Sequence, residues 1–149
     1  MTAHGAGGGA QEKLGDARIA RFLAAKEVVV LATVSADGGP LAMPMWFLHD
    51  GDSLVMISVD GLSKVRNLRT DPRVSVVAET GTRGAEIKNL VVQGRVEILG
   101  PTPARAALVE RFLARYHPDL EKLWGGRAMP ADRVMFRIVP RHVRSRGLA

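Results

Sequence analysis

The fold is decided by the stretch Val28–Val59, VVVLATVSADGGPLAMPMWFLHDGDSLVMISV. It contains three apolar or β-branched runs, Val28–Val34, Leu41–His49 and Ser53–Val59. Glycine, proline and aspartate separate the runs at hairpin length, so the pattern predicts three consecutive antiparallel strands. The first run is almost continuously apolar, which suits a strand covered on both faces. Pro44 confines the second run to a sheet edge or a bulge, because proline donates no ladder hydrogen bond.

The sequence outside this stretch adds helices and three more strands. Amphipathic spacing and capping residues predict helices over Ala17–Lys26 after Asp16, over a short segment that Ser63 caps, and over Ala104–Tyr116 after Thr102 and Pro103. Alternation predicts strands over Arg73–Glu79, Glu86–Leu99 and Arg133–Val139. Gly94 indicates a bulge or bend where another backbone or a ligand comes close. Residues 117–132 are expected to be irregular, and Pro140–Ala149 is expected to leave the sheet as a basic tail.

These elements predict a mainly β (α+β) fold, an antiparallel six-stranded barrel with peripheral helices. A doubly wound sheet is disfavoured, because the turn SADGGP after the first strand lacks the glycine pattern that binds phosphate. The 149 residues suffice for one domain. Residues 1–10 carry four glycines and are expected to form a flexible arm, with residues 11–149 as a single domain.

Composition narrows the class of protein. The chain has no cysteine, which excludes disulfides, thiolate catalysis and cysteine-ligated metals. No apolar run approaches the roughly 20 residues of a membrane helix, and the first residues lack the order of a signal peptide. We therefore expect a cytoplasmic protein with no membrane span.

Charge is distributed unevenly along the chain. The net charge is +6, but residues 1–61 hold four basic and seven acidic side chains, whereas residues 62–149 hold 17 and eight. Residues 62–149 therefore favour binding of an anionic partner, such as nucleic acid, an anionic membrane surface or a phosphorylated small molecule. Ordinary solvated surface charge is the alternative. Aromatic residues make up only 5% of the chain, which argues against a nucleic-acid partner.

Self-sufficient catalytic motifs are absent from the sequence. It has neither a nucleophile elbow nor a Walker loop, and its four histidines lack the spacing of a helical metal site. No catalytic residue or metal ligand is predicted, and a cofactor is expected to supply any reactivity. The segment Gly61–Val77, GLSKVRNLRTDPRVSVV, combines serine, lysine and arginine at a helix start, which suits a phosphate. A solvated amphipathic turn would show the same spacing.

The order of VVVLATV, DGGP, MPMWFLHDG, SLVMIS, SKVRNLRTDPRVSVV and VVQGRVEIL resembles the split β-barrel flavin and deazaflavin reductases, the superfamily that includes pyridoxamine 5′-phosphate oxidase. The resemblance runs from about Ala17 to Pro140. It implies an FMN-binding type of split barrel that forms a homodimer, with a cofactor at each subunit interface and a small-molecule substrate.

The resemblance also assigns a cofactor site. The family's phosphate-binding lysine corresponds to Lys64, assisted by Ser63, and the strand along the ring contributes Ala42, Pro44 and Trp46. Ile57 and Ser58 would lie near the phosphate, and Asn89 takes the place of a glutamine beside the ring. Arg66 would bind an anionic tail, together with Arg69, Arg141 and Arg144.

Two departures from the oxidase favour another branch of the superfamily. Ser63 replaces the arginine before the oxidase's lysine, and no counterpart of its C-terminal substrate-binding segment is present. The arginine-rich composition and the PMWF strand are more similar to the reductases that use the deazaflavin F420. We therefore expect hydride transfer from reduced F420 to an unsaturated or conjugated small molecule, with a water, Tyr116 or a backbone group handling the proton. An FMN-dependent oxidoreductase and a non-enzymatic flavin- or F420-binding protein are the alternatives.

Overall fold

The computed structural model describes residues 11–149. The arm predicted for residues 1–10 lies outside this range. The described elements are α1 (Ala17–Ala24), β1 (Val28–Val34), β2 (Pro40–Trp46), β3 (Leu48–Asp50), β4 (Ser53–Val59), α2 (Ser63–Thr70), β5 (Arg73–Thr80), a 3-10 turn (Gly84–Glu86), β6 (Lys88–Leu99), α3 (Pro103–Arg115), α4 (Asp119–Trp124) and β7 (Arg133–Arg146).

The strands form one antiparallel sheet in the order β2-β1-β5-β6-β7-β4-β3. Its two edges, β2 and β3, are consecutive in the chain and are joined by Phe47 alone. The sheet must therefore curl until its edges meet, which confirms the split barrel. The described sheet has seven strands where six were predicted, because the run Leu41–His49 divides at Phe47 and pairs with β1 on one side and β4 on the other.

Tyr116 stabilises the break at Phe47. The Phe47 N–H donates to Tyr116 Oη at 2.9 Å. The carbonyl oxygens of Phe47 and Glu27 each lie 2.9 Å from the same hydroxyl, whose one proton they share. The Arg115 guanidinium lies 4.7 Å from the centre of the fully buried Phe47 ring. A side chain thus satisfies the backbone groups that the sheet leaves unpaired at its seam.

The last strand differs from the prediction. β7 continues through the expected basic tail to Arg146, because Pro140 and residues 142–146 pair with β6 and Val143 among them is buried. The predicted irregularity at Gly94 is confirmed, since the register shifts between Gln93 and Gly94. A Cβ atom on Gly94 would lie 2.2 Å from the carbonyl oxygen of Val139, so only glycine allows this approach.

The helices follow the predicted positions with local corrections. Thr102 caps α3 as expected and accepts from the Arg105 N–H at 3.1 Å. Asp16 precedes α1 without capping it, and Ser63 is the first residue of α2, not its cap. Residues 119–124, expected to be irregular, form α4, which ends at Gly125 in the left-handed conformation.

The core has two parts. The barrel interior holds residues from α1 and six of the strands, with Phe47, Leu31 and Phe136 among those almost completely buried. A second cluster, which includes Phe112, Leu120 and Met135, packs α3 and α4 against the outside of the sheet. No helix within residues 11–149 is long and apolar enough to cross a membrane.

One face of β1 is uncovered. Val28 and Val30 are each 39% exposed, and Val30 pairs with the exposed Val77 of β5. The expectation that this strand is covered on both faces is therefore wrong for the single chain. We call this surface, formed by Val28, Val30 and Ala32 with their outward-facing neighbours on β2 and β5, the outer face.

Candidate functional site

A cavity of about 370 Å³ lies between the sheet, α2 and the α3–α4 pair. We call it the candidate cavity. Strands β2 and β4 form one wall, the start of α2 and the first residue of β7 form a second, and α3 and α4 form the third. Its lining residues are Pro44, Met45, Trp46, Ile57, Ser58, Val59, Leu62, Lys64, Phe112, Leu120, Leu123, Trp124 and Arg133.

Three polar side chains that line this cavity are Ser58, Lys64 and Arg133. Ser58 is only 6% exposed, and its hydroxyl has no hydrogen-bond partner within the described part of the chain. Burial lowers the pKa of Lys64, with no carboxylate contributing to the shift. Arg133 also lines the cavity, and its guanidinium lies 2.5 Å from the exposed carboxylate of Asp132. A buried hydroxyl with no partner within residues 11–149, in a cavity that two cationic side chains also line, fits an anionic group.

Aromatic side chains form the apolar walls. The indole of Trp46 lines the cavity and stacks on the ring of Tyr116. Phe112 and Trp124 contribute from α3 and α4. Trp124 lies in a segment that was expected to be irregular, and it lines the cavity. A planar heterocycle can pack against such walls.

The structure brings part of the predicted site together. Pro44, Trp46, Ile57, Ser58 and Lys64 all line the candidate cavity. Ala42 lies on the outer face opposite Ala32, and Asn89 lies on β6 opposite Glu79, three strands away from β2. The cavity of the single chain does not include either residue.

Ser63 and Arg66 also lie outside the cavity. Both are exposed, and the Arg66 guanidinium donates to the Gly61 carbonyl oxygen and to Ser63 Oγ. Arg69 forms an exposed ion pair with Asp60. Such pairs contribute little stability, so these arginines are held only loosely in their present contacts.

Arg141 and Arg144 belong to β7 and not to a tail. Arg144 faces outward opposite Val91, and both arginines are exposed. They lie on the opposite half of the sheet from β2. In the single chain these side chains do not reach the candidate cavity.

Sequence reasoning missed several lining residues. Arg133 carried only a strand signal, and nothing in its spacing linked it to Lys64. Leu62, Leu120 and Leu123 read as ordinary apolar positions. The one available signal was Trp124, an aromatic side chain in the predicted loop LWGG.

Tyr116, expected as a proton source, has a structural role. Its side chain is buried and its hydroxyl is bonded to backbone groups at the Phe47 seam. No carboxylate or imidazole lines the cavity among the described residues. Within that range no group of three or more metal-ligating side chains occurs. The lining combines a buried hydroxyl and two cationic side chains with aromatic walls, a combination that can accommodate an anionic, planar molecule.

A family model for pyridoxamine 5′-phosphate oxidase matches residues 16–147. The chain belongs to this family. The match covers almost all of the described residues and includes the whole candidate cavity. No curated protein matches the chain.

Solved structures agree with the fold. A conserved hypothetical protein from Mycobacterium tuberculosis is 28% identical, with a TM-score of 0.73 over 87% of this chain and 82% of that one. A FAD-binding protein from Mesorhizobium loti is 28% identical, with a TM-score of 0.68 over 85% and 89%. A heme storage protein from Vibrio cholerae is 19% identical, with a TM-score of 0.77 over 91% and 96%, and shows the fold alone.

Proposed function

We propose that this protein is an oxidoreductase that uses reduced F420 to transfer a hydride to an unsaturated or conjugated small molecule. The observation that carries the proposal is the buried Ser58 hydroxyl, which has no hydrogen-bond partner within residues 11–149, in a cavity that Lys64 and Trp46 also line. A phosphodiester arm would receive hydrogen bonds from Ser58 and Lys64. The deazaflavin, when bound, supplies the hydride chemistry.

The protein's own residues would bind and orient the cofactor. Lys64 and Arg133, the latter also paired with the exposed Asp132, would neutralise the anionic arm, and the Ser58 hydroxyl would donate to it. Trp46, fixed by its stack on Tyr116, sets the plane against which the ring lies. The proton that accompanies the hydride would come from water, because no acidic side chain of the described chain lines the cavity.

We further propose a homodimer with the cofactor at the subunit interface. The outer face supports this, since Val28, Val30 and Val77 are exposed together and Pro44 joins them to the cavity. A second copy seated there would cover these valines and bring its own groups to the site, by isologous symmetry. Asn89, Arg141 and Arg144 would then act from the partner. Light scattering at micromolar concentration with cofactor present should report a dimer, and a monomer would contradict this.

The F420 assignment rests on the cationic surface of the later half of the chain, which suits a long anionic tail. Side-by-side titration with F420 and FMN tests it. F420 should bind more tightly, and a longer oligoglutamate tail should not weaken binding. Protein that purifies yellow with stoichiometric FMN and ignores F420 would replace this proposal with the FMN-dependent one.

The FMN-dependent oxidoreductase is supported by one finding of its own. The Mesorhizobium loti neighbour, 28% identical, is a FAD-binding protein, so a flavin is compatible with this type of barrel. A carrier that binds the cofactor without turnover is the third possibility. Failure of the reduced, loaded protein to pass electrons to any conjugated acceptor, despite tight cofactor binding, would favour the carrier.

A further inference from the structure

We infer that Asn67 and Thr33 are positioning residues for the cofactor site, because their hydrogen bond fixes the direction in which α2 presents Lys64 to the candidate cavity. The Asn67 side-chain amide donates to Thr33 Oγ1 on β1 at 3.0 Å. Neither is among the described residues that line the cavity. The inference rests on the proposed function, since Lys64 is the residue through which both would act on cofactor binding.

The helix α2 needs an anchor outside itself. It has only eight residues, and a helix of this length is marginal in water without tertiary contacts. Its buried side chains are those of Val65, Asn67 and Leu68. Val65 and Leu68 are held by apolar burial, which has no preferred direction and would permit the helix to turn about its axis. Asn67 adds a contact with a direction, because a hydrogen bond weakens steeply as its angle departs from linear.

The Asn67–Thr33 contact has no equivalent elsewhere on α2. Among residues 11–149 it is the one side-chain hydrogen bond that joins this helix to the sheet. The other side-chain hydrogen bonds of α2 are local and exposed, and they run from Arg66 to Gly61 and Ser63, from Arg69 to Asp60, and from Thr70 to Arg66. Exposed contacts between flexible side chains contribute little. The orientation of α2 relative to the barrel therefore depends on Asn67.

Thr33 offers Asn67 a fixed partner. Its side chain is only 1% exposed, and it lies on β1, which is paired with β2 on one side and β5 on the other. A β-branched side chain is also restricted in its first torsion angle. The Thr33 hydroxyl is therefore held by the sheet, and it defines where the Asn67 amide must lie.

The position of Asn67 in turn determines that of Lys64. Lys64 precedes Asn67 by three residues, a spacing that places both on one side of a helix. Lys64 lines the cavity, and its burial there lowers the pKa of its ammonium group. If the hydrogen bond from Asn67 is lost, α2 can turn and Lys64 moves toward solvent. The anionic arm of the cofactor would then lose a partner, although no residue that contacts it has changed.

The first experiment removes the hydroxyl and keeps the shape of the side chain, in Thr33→Val. Asn67 is then buried without its partner, so the urea midpoint should fall, and F420 should bind about three- to tenfold more weakly. Thr33→Ser keeps the hydroxyl and should recover most of this affinity. Ser53→Ala is the matched control, because it loses a hydrogen bond at the turn between β3 and β4. It should lower the urea midpoint and leave F420 binding unchanged.

The double variant Thr33→Val/Asn67→Leu distinguishes positioning from stability. Replacing both partners with apolar groups of similar shape leaves neither of them unpaired, so the urea midpoint should return toward that of the parent. F420 binding should remain about three- to tenfold weaker, since no directional contact remains. In a Lys64→Ala background the same double change should not weaken binding further. Recovery of binding together with stability, or an undiminished effect in the Lys64→Ala background, would overturn the inference.

The pKa of the Lys64 ammonium provides a readout that needs no cofactor. NMR titration of isotopically labelled lysines measures it, and the Lys64 signal is the one that disappears in Lys64→Ala. In Thr33→Val and in the double variant this pKa should rise toward its ordinary 10.5, because the side chain becomes more exposed. An unchanged pKa in both variants would contradict the inference.

Failure of the proposed function gives a different result. If F420 fails to bind, the F420 assignment is wrong, and the same variants are compared in FMN binding. If Lys64→Ala binds both cofactors as tightly as the parent, Lys64 has no role in the cofactor site. The pKa of Lys64 in the Thr33 and Asn67 variants still decides whether these two residues position it.

Discussion

The indole of Trp46 stacks on the ring of Tyr116, with centroids 4.3 Å apart and planes 6° from parallel. The same tyrosine bonds the Phe47 backbone through its hydroxyl. Tyr116, the C-terminal cap of α3, therefore links the seam of the barrel to the aromatic wall of the cavity. The position of the Trp46 indole and the closure of the barrel at Phe47 therefore depend on the same side chain.

Tyr116→Phe separates the two roles. The ring and its stack remain, but the Phe47 N–H loses its partner, so the free energy of unfolding should fall by about 1 to 3 kcal/mol. Urea unfolding measures this loss. In a Trp124→Phe background, which leaves Trp46 as the only tryptophan, the native emission should stay near that of the parent. A large change in native emission would show that the hydroxyl also orients Trp46.

Lys64→Ala should weaken cofactor binding and leave the fold intact. A hydrogen bond to a charged group is worth roughly 1.5 to 3 kcal/mol, so the dissociation constant should rise about ten- to a hundredfold. Stability should not fall, because burial lowers the pKa of Lys64 and so costs the charged side chain free energy, and within residues 11–149 this side chain forms no ion pair. Lys122→Ala, on an exposed position of α4 outside the cavity, is the control. Parent-like binding by both variants would remove Lys64 from the site.

Ser58→Ala should affect stability and binding in opposite directions. The Ser58 hydroxyl is buried and has no hydrogen-bond partner in the part of the chain that the structure describes, so its removal relieves a desolvation cost and the urea midpoint should stay constant or rise. Cofactor binding should weaken by about a factor of ten, since a donor to an anion is lost. Ser53→Ala is a useful comparison, because the Ser53 hydroxyl donates to the Asp50 carbonyl oxygen and lies outside the cavity. It should lower stability while leaving binding unchanged.

The helices and strands that could be predicted from the sequence are those determined by residues close together in the chain. Alternation in β4 and the Thr102–Pro103 start of α3 are local signals, and both are confirmed. The break at Phe47 depends on Tyr116, far along the chain, so no local pattern contains it. From the sequence alone, the residues of β7 from Pro140 onward were predicted to form a basic tail. They belong to a strand only because they pair with β6, which is distant in the sequence. For the same reason Arg133 gave no sign that it lines the cavity.

Acid should destabilise the protein partly through Asp50. Hydrogen bonds from Arg111 and then Arg137 hold the pKa of this carboxyl below its ordinary 3.8. A folded pKa below the unfolded one means that the stabilisation is complete above the ordinary value and is lost as pH falls through the lowered one. Urea midpoints measured from pH 7 to about pH 2 should show a smaller acid loss in Asp50→Asn. If Asp50→Asn loses as much stability at low pH as the parent does, other carboxylates cause the acid destabilisation.

Gly94→Ala should destabilise the sheet. The new Cβ would lie 2.2 Å from the Val139 carbonyl oxygen, so the bulge must open, at a cost of about 1 to 3 kcal/mol or more. Thermal unfolding measures the change. At Gly84 a Cβ would meet nothing within 4 Å, so Gly84→Ala is the control and should alter the melting temperature little.

The pairing of β4 with β7 also has consequences for how the chain folds. Two strands, three helices and the 3-10 turn lie between these neighbours in sequence, so a long loop must close before the middle of the sheet can form. During synthesis, β4 carries an open strand edge until residues 133–138 emerge. An unpaired strand edge can form backbone hydrogen bonds with the strands of other chains, which leads to aggregation. A chain that stops short of Arg133 therefore lacks the strand that joins its two halves, and we expect it to aggregate instead of forming a smaller barrel.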